Sequence, residues 1–432
     1  MEASQPTIET VTLGKPVHGG ACLARSGDGR TLFVRGGLPG ETVRIALTSE
    51  HKKFAWADVT EVLEPSVHRV PHVWPEAEAE GVGGVELGHV APSYQREWKS
   101  EVLGEQLQRI GGDRVVAQVR AVTGASEDEP LVVVEPTPGD SAGGDLLGRR
   151  TRVQLVIDEQ GRPGMRRYRS HDVVPLTELP IATGGLKSLK VLEKPAWKKR
   201  WTAGERIALE DPNGSAPVLV SSTGVFTGPG TFGPPKSTWI VTAAGRTHSF
   251  SVRPGSFWQT HVEAPAVLVE AVLEGAQVRP GDVVVELYAG SGLFSRFIAD
   301  ELEGGQLLTL EGNKSAVKSA GKVLEPEIES GRVQVFQGRI DGKAVAELAE
   351  ASGSPIDTII LDPPRSGAEK AVVEALCATE ASRVVLVSCD PASGARDLSD
   401  FVSGGFRIES IRAWDLFPHT HHFEIVTTLV RD

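Results

Sequence analysis

Three side chains at the ends of apolar runs carry the chemistry this sequence offers. A thiol, Cys389, follows Val-Leu-Val-Ser and precedes Asp390-Pro. A carboxylate, Glu424, lies in the apolar stretch Phe423-Glu-Ile-Val-Thr-Thr-Leu-Val, and Asp362 opens Asp362-Pro-Pro-Arg365-Ser-Gly367. A buried cysteine is usually an inert small hydrophobe, but one at a strand end before Asp-Pro, in a chain with few thiols, reads as a nucleophile. Cys377 sits in the helical stretch 372–378 and reads as core. Burial among apolar neighbours raises a carboxyl pKa, which suits Glu424 to accept a proton. The two prolines after Asp362 fix an extended, rigid loop that aims this carboxylate at a bound ligand. His419, His421 and His422 lack a Cys or Asp partner at ligand spacing, and no metal site is expected.

Upstream, Glu286-Leu-Tyr288-Ala289-Gly290-Ser-Gly292 joins an apolar run to a helical one. Small residues there let the backbone approach a ligand at the C-terminal end of a strand. Glu311 ends the next strand-like run about twenty residues on, where an acidic residue holds ribose hydroxyls. Ser295 stands where a dinucleotide fingerprint has its third glycine. A ligand with a ribose but no pyrophosphate, S-adenosylmethionine, therefore fits better than NAD. Gly290, Gly292 and Glu311 are the expected contacts.

These residues need a sheet edge. From Phe257 onward, strand-like runs at 282–287, 306–311, 356–362 and 383–388 alternate with helical stretches at 264–273, 295–301 and 314–323. That alternation predicts a doubly wound, Rossmann-like α/β sheet. Residues 7–63 show short β-like runs separated by Gly/Pro/Asp turns, which predicts a small OB-like barrel. Residues 93–110 carry apolar positions three or four apart, a helix ended by Gly111-Gly112. The stretch 115–252 reads as strands and loops. The expected division is a barrel over 5–64, a β-rich middle domain from 65–92 and 115–255, and an α/β domain from 93–114 and 256–432.

The chain of 432 residues has only three cysteines, too few for a disulfide framework, and no apolar run of membrane-spanning length. Its start, Met-Glu-Ala-Ser-Gln, shows no export signal, and a cytoplasmic protein is expected. A net charge of −12 argues against nucleic acid taken alone. The span 149–201, however, concentrates Arg149, Arg150, Arg152, Arg162, Arg166, Arg167, Arg169, Arg200 and five lysines, with Tyr168, Trp197 and Trp201. Such a patch reads as a phosphate-binding surface.

Taken together, Gly290-x-Gly292, Asp362-Pro-Pro-Arg-x-Gly, Ser388-Cys389-Asp-Pro with Ala395-Arg-Asp-Leu, and Phe417-Pro-His-Thr-x-His-x-Glu424 resemble the RNA uridine-5 methyltransferases. That family includes the bacterial 23S ribosomal RNA and tRNA 5-methyluridine enzymes. Ser256-Phe-Trp-Gln259 is similar to its glutamine motif, and the segment with Leu38-Pro-Gly-Glu is similar to a TRAM domain. The resemblance implies a class I methyltransferase fold, S-adenosylmethionine as methyl donor, and RNA as substrate, with no membrane partner and a monomeric chain. Carried over, Cys389 is the nucleophile and Glu424 the base that removes the carbon 5 proton, while Gln259, Tyr288, Glu311 and Asp362 contact the donor or the target base. His261 stands where the family usually has Asn, Ala289 where Cys is common, and Leu293 where Asn is frequent.

Ribosomal members often hold an iron–sulfur cluster on Cys-Gly-Gly-Cys and two further cysteines. This chain has Val82-Gly83-Gly84-Val85, with Val73-Trp74-Pro75 before it and Leu179-Pro180 later. The frame is present without its ligands, and no cluster is expected; apolar packing of Val82, Val85 and Leu179 is expected instead. Two rival readings are cytosine methylation by the same addition chemistry and an RNA-binding protein of this fold that has lost turnover.

Overall fold

The computed structural model describes residues 8–168 and 170–431. At the N-terminus, β1 (Ile8–Thr12), β2 (Pro16–Val17), β3 (Ala21–Arg25), β4 (Thr31–Arg35), β5 (Thr42–Glu50) and β6 (Phe54–Glu64) pair in the order β1-β5-β6-β4-β3-β2. Alternation sends Leu32, Val34, Val43 and Ile45 to one apolar core. Register shifts between β5 and β6 bend these long strands around it.

A short helix α1 (Pro75–Glu80) precedes α2 (Pro92–Gln106), which continues through a π turn at Leu107–Gly111 into α3 (Gly112–Thr123). α2 joins two cores: Trp98 and Val102 pack with the N-terminal sheet, while Leu103 packs with the C-terminal one. After β7 (Val134–Glu135), a second sheet forms from β8 (Arg152–Ile157), β9 (Pro163–Arg166), β10 (Val173–Pro175), β11 (Arg206–Glu210), β12 (Val218–Ser221), β13 (Gly224–Gly228) and β14 (Thr231–Phe232). The helix α4 (Gly184–Ser188) lies between β10 and β11. β15 (Ser237–Ala243) and β16 (Arg246–Val252) form a separate hairpin.

The C-terminal part runs α5 (Ala264–Ala276), β17 (Val283–Leu287), α6 (Leu293–Glu301), β18 (Gln306–Glu311), α7 (Lys314–Val323), α8 (Glu325–Glu329), β19 (Val333–Gln337), α9 (Gly342–Ala351), β20 (Thr358–Leu361), α10 (Lys370–Cys377), β21 (Arg383–Ser388), α11 (Pro391–Ser403), β22 (Arg407–Trp414) and β23 (Glu424–Val430). Its sheet has the order β19-β18-β17-β20-β21-β23-β22-β7, parallel through β21, with β23 reversed against both neighbours. Both faces are covered. One carries α3, α9, α10 and α11, the other α5, α6 and the β15–β16 hairpin. Double coverage explains why β17, β20 and β23 are buried along their whole length. This is the expected class I methyltransferase sheet.

Several local expectations are corrected. Residues 112–123 are helical, not strand, because Val115 and Val119, four apart, pack onto the C-terminal sheet. β7 adds to that sheet beside β22, and the β15–β16 hairpin packs on its face through Trp239, Val241 and Phe250. None of the three belongs to the middle sheet. The strand β19, Val333-Gln-Val-Phe-Gln, is an addition to the expected strands, and its alternation is visible in the sequence.

In the basic span, the aromatic part of the expectation is corrected, and several arginines are found in ion pairs. Arg152 pairs with Glu210 at 3.0 Å, Arg162 with Asp158 at 2.7 Å, Arg149 with Asp140 at 2.5 Å and Arg167 with Glu80 at 3.1 Å. Trp197 and Trp201 are buried and stacked, and their indole N–H groups donate to the carbonyls of Leu189 and Gly161. These two rings are interior, not a stacking surface for bases. Arg169 lies outside the described residues. Lys187, Lys190, Lys194, Lys198 and Lys199 remain exposed, as do the paired Arg162 and Arg167.

Candidate active site

The polar strand ends meet along one edge of the C-terminal sheet. β17 lies between β18 and β20, so the chain leaves it to opposite sides, the place where ligands bind in open α/β sheets. A cavity of about 800 Å³ opens there. Gln259, Tyr288, Gly290, Glu311, Asp362, Cys389 and Glu424 all line it. Of the expected site residues, only Gly292 does not. A Cβ on Gly292 would meet Ala320 at about 3.1 Å, so this glycine serves the packing of α6 against α7.

Each contact has a local cause. Tyr288 leaves β17 with φ 62°, a left-handed conformation that costs a non-glycine residue and concentrates at functional sites. Gly290 has φ 55° and open space where a side chain would be, so its backbone reaches the cavity. Its N–H donates to Glu311 at 3.0 Å, and the N–H of Asn313 donates to the same carboxylate at 2.6 Å. Asn313 in turn caps α7, accepting from Ser315 and Ala316. Glu311 is therefore held in place by two backbone donors, with lone pairs left for hydroxyls of a ribose.

Cys389 sits between β21 and α11, half-buried and unpaired. The next residue, Asp390, caps α11 through the N–H groups of Ala392 and Ser393 and pairs with His18 of the N-terminal sheet at 3.0 Å. The Asp362 loop is pinned from α11. Asp397 accepts the N–H of Ala368 at 2.7 Å, and Arg396 donates to the carbonyl of Ser366 at 2.7 Å. The Ala395-Arg-Asp-Leu motif thus fixes the Asp-Pro-Pro-Arg loop.

Glu424 is buried, and its Oε2 has no hydrogen-bond partner. Burial pushes its carboxyl well above the usual range, with the neighbouring Asp362 adding to the effect and Arg365 opposing it. Burial raises Asp362 to about 7. Burial, then Glu424 and Asp362, push the Cys389 thiol up to about 12. Burial and the adjacent His421 hold His422, another wall residue, neutral at about 2. The site thus keeps an acid, a thiol and an imidazole uncharged near neutrality, and a cation beside them would release protons.

Sequence reasoning assigned no role to Phe417, His422 and Arg339, which also line the cavity. The first two lie inside the Phe-Pro-His-Thr motif and could have been read from it. Arg339 follows β19, whose omission hid it. His261 faces Asp140 at 3.2 Å instead of the cavity, whereas Ala289 and Leu293 lie in its wall.

The residues at the Gly83-Gly84 frame do not fit an iron–sulfur cluster, which needs about four thiolates. Val82, Val85 and Leu179 are buried in one apolar cluster with Trp74. Cys22 lies in the N-terminal core, its Sγ near the carbonyl of Gly37. Among the described residues no group of three His, Cys, Asp or Glu could hold a metal ion.

Comparisons with known proteins point the same way. A family model described as tRNA (uracil-5-)-methyltransferase matches residues 238–432. An RNA methyltransferase of Streptomyces avermitilis is 36% identical, over 97% of this chain and 97% of that one. The 23S rRNA (uracil(1939)-C(5))-methyltransferase RlmD of Alkalilimnicola ehrlichii is 30% identical, over 96% of this chain and 95% of that one. The crystal structure of Pyrococcus abyssi tRNA (uracil-54, C5)-methyltransferase, in complex with S-adenosyl-L-homocysteine, matches the fold with a TM-score of 0.62 and 22% identity, covering 96% of this chain and 99% of that one.

Proposed function

This chain belongs to the tRNA (uracil-5-)-methyltransferase family and is an S-adenosylmethionine-dependent RNA methyltransferase; from that premise we propose that it forms 5-methyluridine in ribosomal or transfer RNA through covalent addition of Cys389. The observation that carries the reading is convergence. Cys389 and Glu424, at the ends of the paired strands β21 and β23, face one cavity with Asp362 and Glu311.

The donor supplies a methyl group on a sulfonium. Glu311 and the backbone at Gly290 would hold its ribose, and Gln259, Tyr288 and Asp362 the rest of the donor or the base. A flipped-out uridine enters the same cavity. The Cys389 sulfur, having lost its proton, forms a bond to carbon 6, and the ring electrons move to make carbon 5 nucleophilic. An unactivated pyrimidine carbon does not attack a sulfonium at a useful rate, which is why the thiol is needed. Carbon 5 takes the methyl group as the methyl–sulfonium bond breaks and S-adenosylhomocysteine leaves, and Glu424, in its ionised form, then takes the proton from carbon 5. The carbon 5–carbon 6 double bond re-forms and the sulfur leaves as thiolate. A carboxyl raised by burial suits that role, because it is a stronger base than an exposed one once ionised.

The test is a nucleoside digest of ribosomal and transfer RNA after reaction, with mapping of 5-methyluridine in cells lacking the gene. Cys389→Ala removes turnover and any covalent RNA adduct. Glu424→Gln permits addition and methyl transfer but not proton loss, so a protein–RNA adduct persists through denaturing electrophoresis. Normal turnover by Glu424→Gln, or an adduct formed by Cys389→Ala, would sink the mechanism. Methylated cytosine in the digest would replace the substrate.

A further inference from the structure

We infer that Gln95 and Lys99, on α2 and outside the cavity, are positioning residues that set Phe417, His422 and Glu424 in place. The inference rests on the reading of Glu424 as the base. The segment 415–423 connects β22 to β23 and ends at Glu424. It contains His419 with φ 65°, a left-handed conformation that a non-glycine residue keeps only when its surroundings impose it. Those surroundings come from α2.

Gln95 and Lys99 lie one helical turn apart and so share a face. Both are completely buried. The Gln95 side-chain carbonyl accepts the backbone N–H of His419 at 2.8 Å, and its amide donates to Nδ1 of the same imidazole at 3.1 Å and to the carbonyl of Val90 at 2.8 Å. His419 closes the arrangement by donating from Nε2 to the carbonyl of Asp145 at 2.7 Å. Burial holds this imidazole neutral, its pKa lowered to about 4, which matches one donating and one accepting nitrogen. One turn on, the Lys99 ammonium donates to Asp415 at 2.5 Å and to the carbonyl of Phe417 at 3.2 Å.

The first half of the segment, Asp415 to His419, is therefore gripped by two α2 side chains that have, among the described residues, no other hydrogen-bond partner in the C-terminal sheet. A buried lysine–aspartate pair adds little net stability, since desolvation offsets its attraction, but it fixes the relative position of the two groups. Phe417 and His422, which flank the gripped residues, line the cavity beside Glu424. Loss of the grip lets the segment relax from its left-handed turn and moves the base relative to carbon 5. Misplacement of about 1 Å can cost about a hundredfold in rate.

The experiment uses the full chain with Gln95→Met, Lys99→Met, and the charge-free pair Lys99→Met/Asp415→Leu, which keeps the segment buried without an orphaned charge. Thermal melts, S-adenosylhomocysteine affinity, kcat and KM for RNA, and trapped adduct are measured for each. The expected result is a kcat lowered at least tenfold in Gln95→Met, with KM and S-adenosylhomocysteine affinity within about threefold. Because proton loss becomes the slow step, adduct accumulates during turnover. Should either lysine variant fail to fold, Gln95→Met decides alone. A kcat within twofold of the parent, or a loss confined to KM, overturns the inference. Glu424→Gln run in parallel separates the two claims. Adduct there and none in the positioning variants removes this inference only, while no adduct in either removes the reading beneath it.

Discussion

At the scale of the residue, the site is built from groups that burial keeps uncharged. The Cys389 thiol, pushed up to about 12, is the clearest case. Its thiolate fraction near neutrality is about a thousandfold below that of an ordinary thiol, while its intrinsic nucleophilicity rises as the pKa rises. The net expectation is alkylation by iodoacetamide roughly thirtyfold slower than for an exposed cysteine, measured at pH 8 in the ligand-free protein. Equal rates would mean that burial does not raise the thiol above the range of an exposed cysteine. Glu286, buried in β17 and accepting from Ser295, is raised by burial to about 8. Its folded pKa exceeds the unfolded value of about 4.3, so the folded state binds more protons between those values and stability falls as pH rises through that window. Glu286→Gln removes this loss. Its stability should match the parent near pH 4 and exceed it increasingly up to about pH 8, by on the order of a few kcal/mol, then level off; parallel curves would refute the assignment. Cys389, Asp362 and Glu311 were legible in the sequence because a polar residue at the end of an apolar run is conspicuous. Gln95 and Lys99 were not, since their partners lie 324 and 316 positions away.

At the scale of the element, loops at the sheet edge are held by contacts that local pattern does not reveal. The Asp-Pro-Pro-Arg loop ends at Gly367, with φ 76°, where a Cβ would collide with the Arg396 guanidinium and the Asp397 carboxylate. Gly367→Ala should displace Asp362 and lower kcat at least tenfold while the melting temperature moves little, as steady-state kinetics and a thermal melt would show. A large fall in melting temperature with kcat intact would mean that the loop only supports the fold. The Val82–Val85 frame behaves in the opposite way. Val85 is 1% exposed and packs with Val82, Leu179 and Trp74, so Val85→Asp buries an unpaired charge and should cost about 3 kcal/mol or more in denaturant unfolding. A cost below about 1 kcal/mol would show that the frame opens to solvent. The parallel strands were readable from their unbroken apolar runs. α3 was misread in its period, and β7 and the β15–β16 hairpin were misplaced because short or alternating segments declare their period but not which sheet they will cover.

At the scale of the molecule, an acidic chain must bind an anionic polymer. Of the arginines that made 149–201 look like an open basic surface, Arg149, Arg152, Arg162 and Arg167 are spent on Asp140, Glu210, Asp158 and Glu80. The sequence could not show this, because two of the four acids lie far along the chain. What stays exposed is the lysine series Lys187, Lys190, Lys194, Lys198 and Lys199, with Arg162 and Arg167 exposed within their ion pairs. A lysine that touches a phosphate of single-stranded RNA releases about 0.7 counterion, so the plot of log affinity against log salt should lose about 2 from its slope when Lys194, Lys198 and Lys199 are all changed to Gln. S-adenosylhomocysteine affinity should not change, since none of the three lines the cavity. Changing Arg152 to Gln should instead lower the melting temperature and leave the salt slope nearly unaltered, because its side chain is mostly buried against Glu210. Fluorescence anisotropy with a ribosomal RNA fragment at several salt concentrations distinguishes the two sets. If the lysine variant keeps the parental slope and the arginine variant loses it, the electrostatic contact with RNA runs through the paired arginines, and the division drawn here between surface and scaffold is reversed.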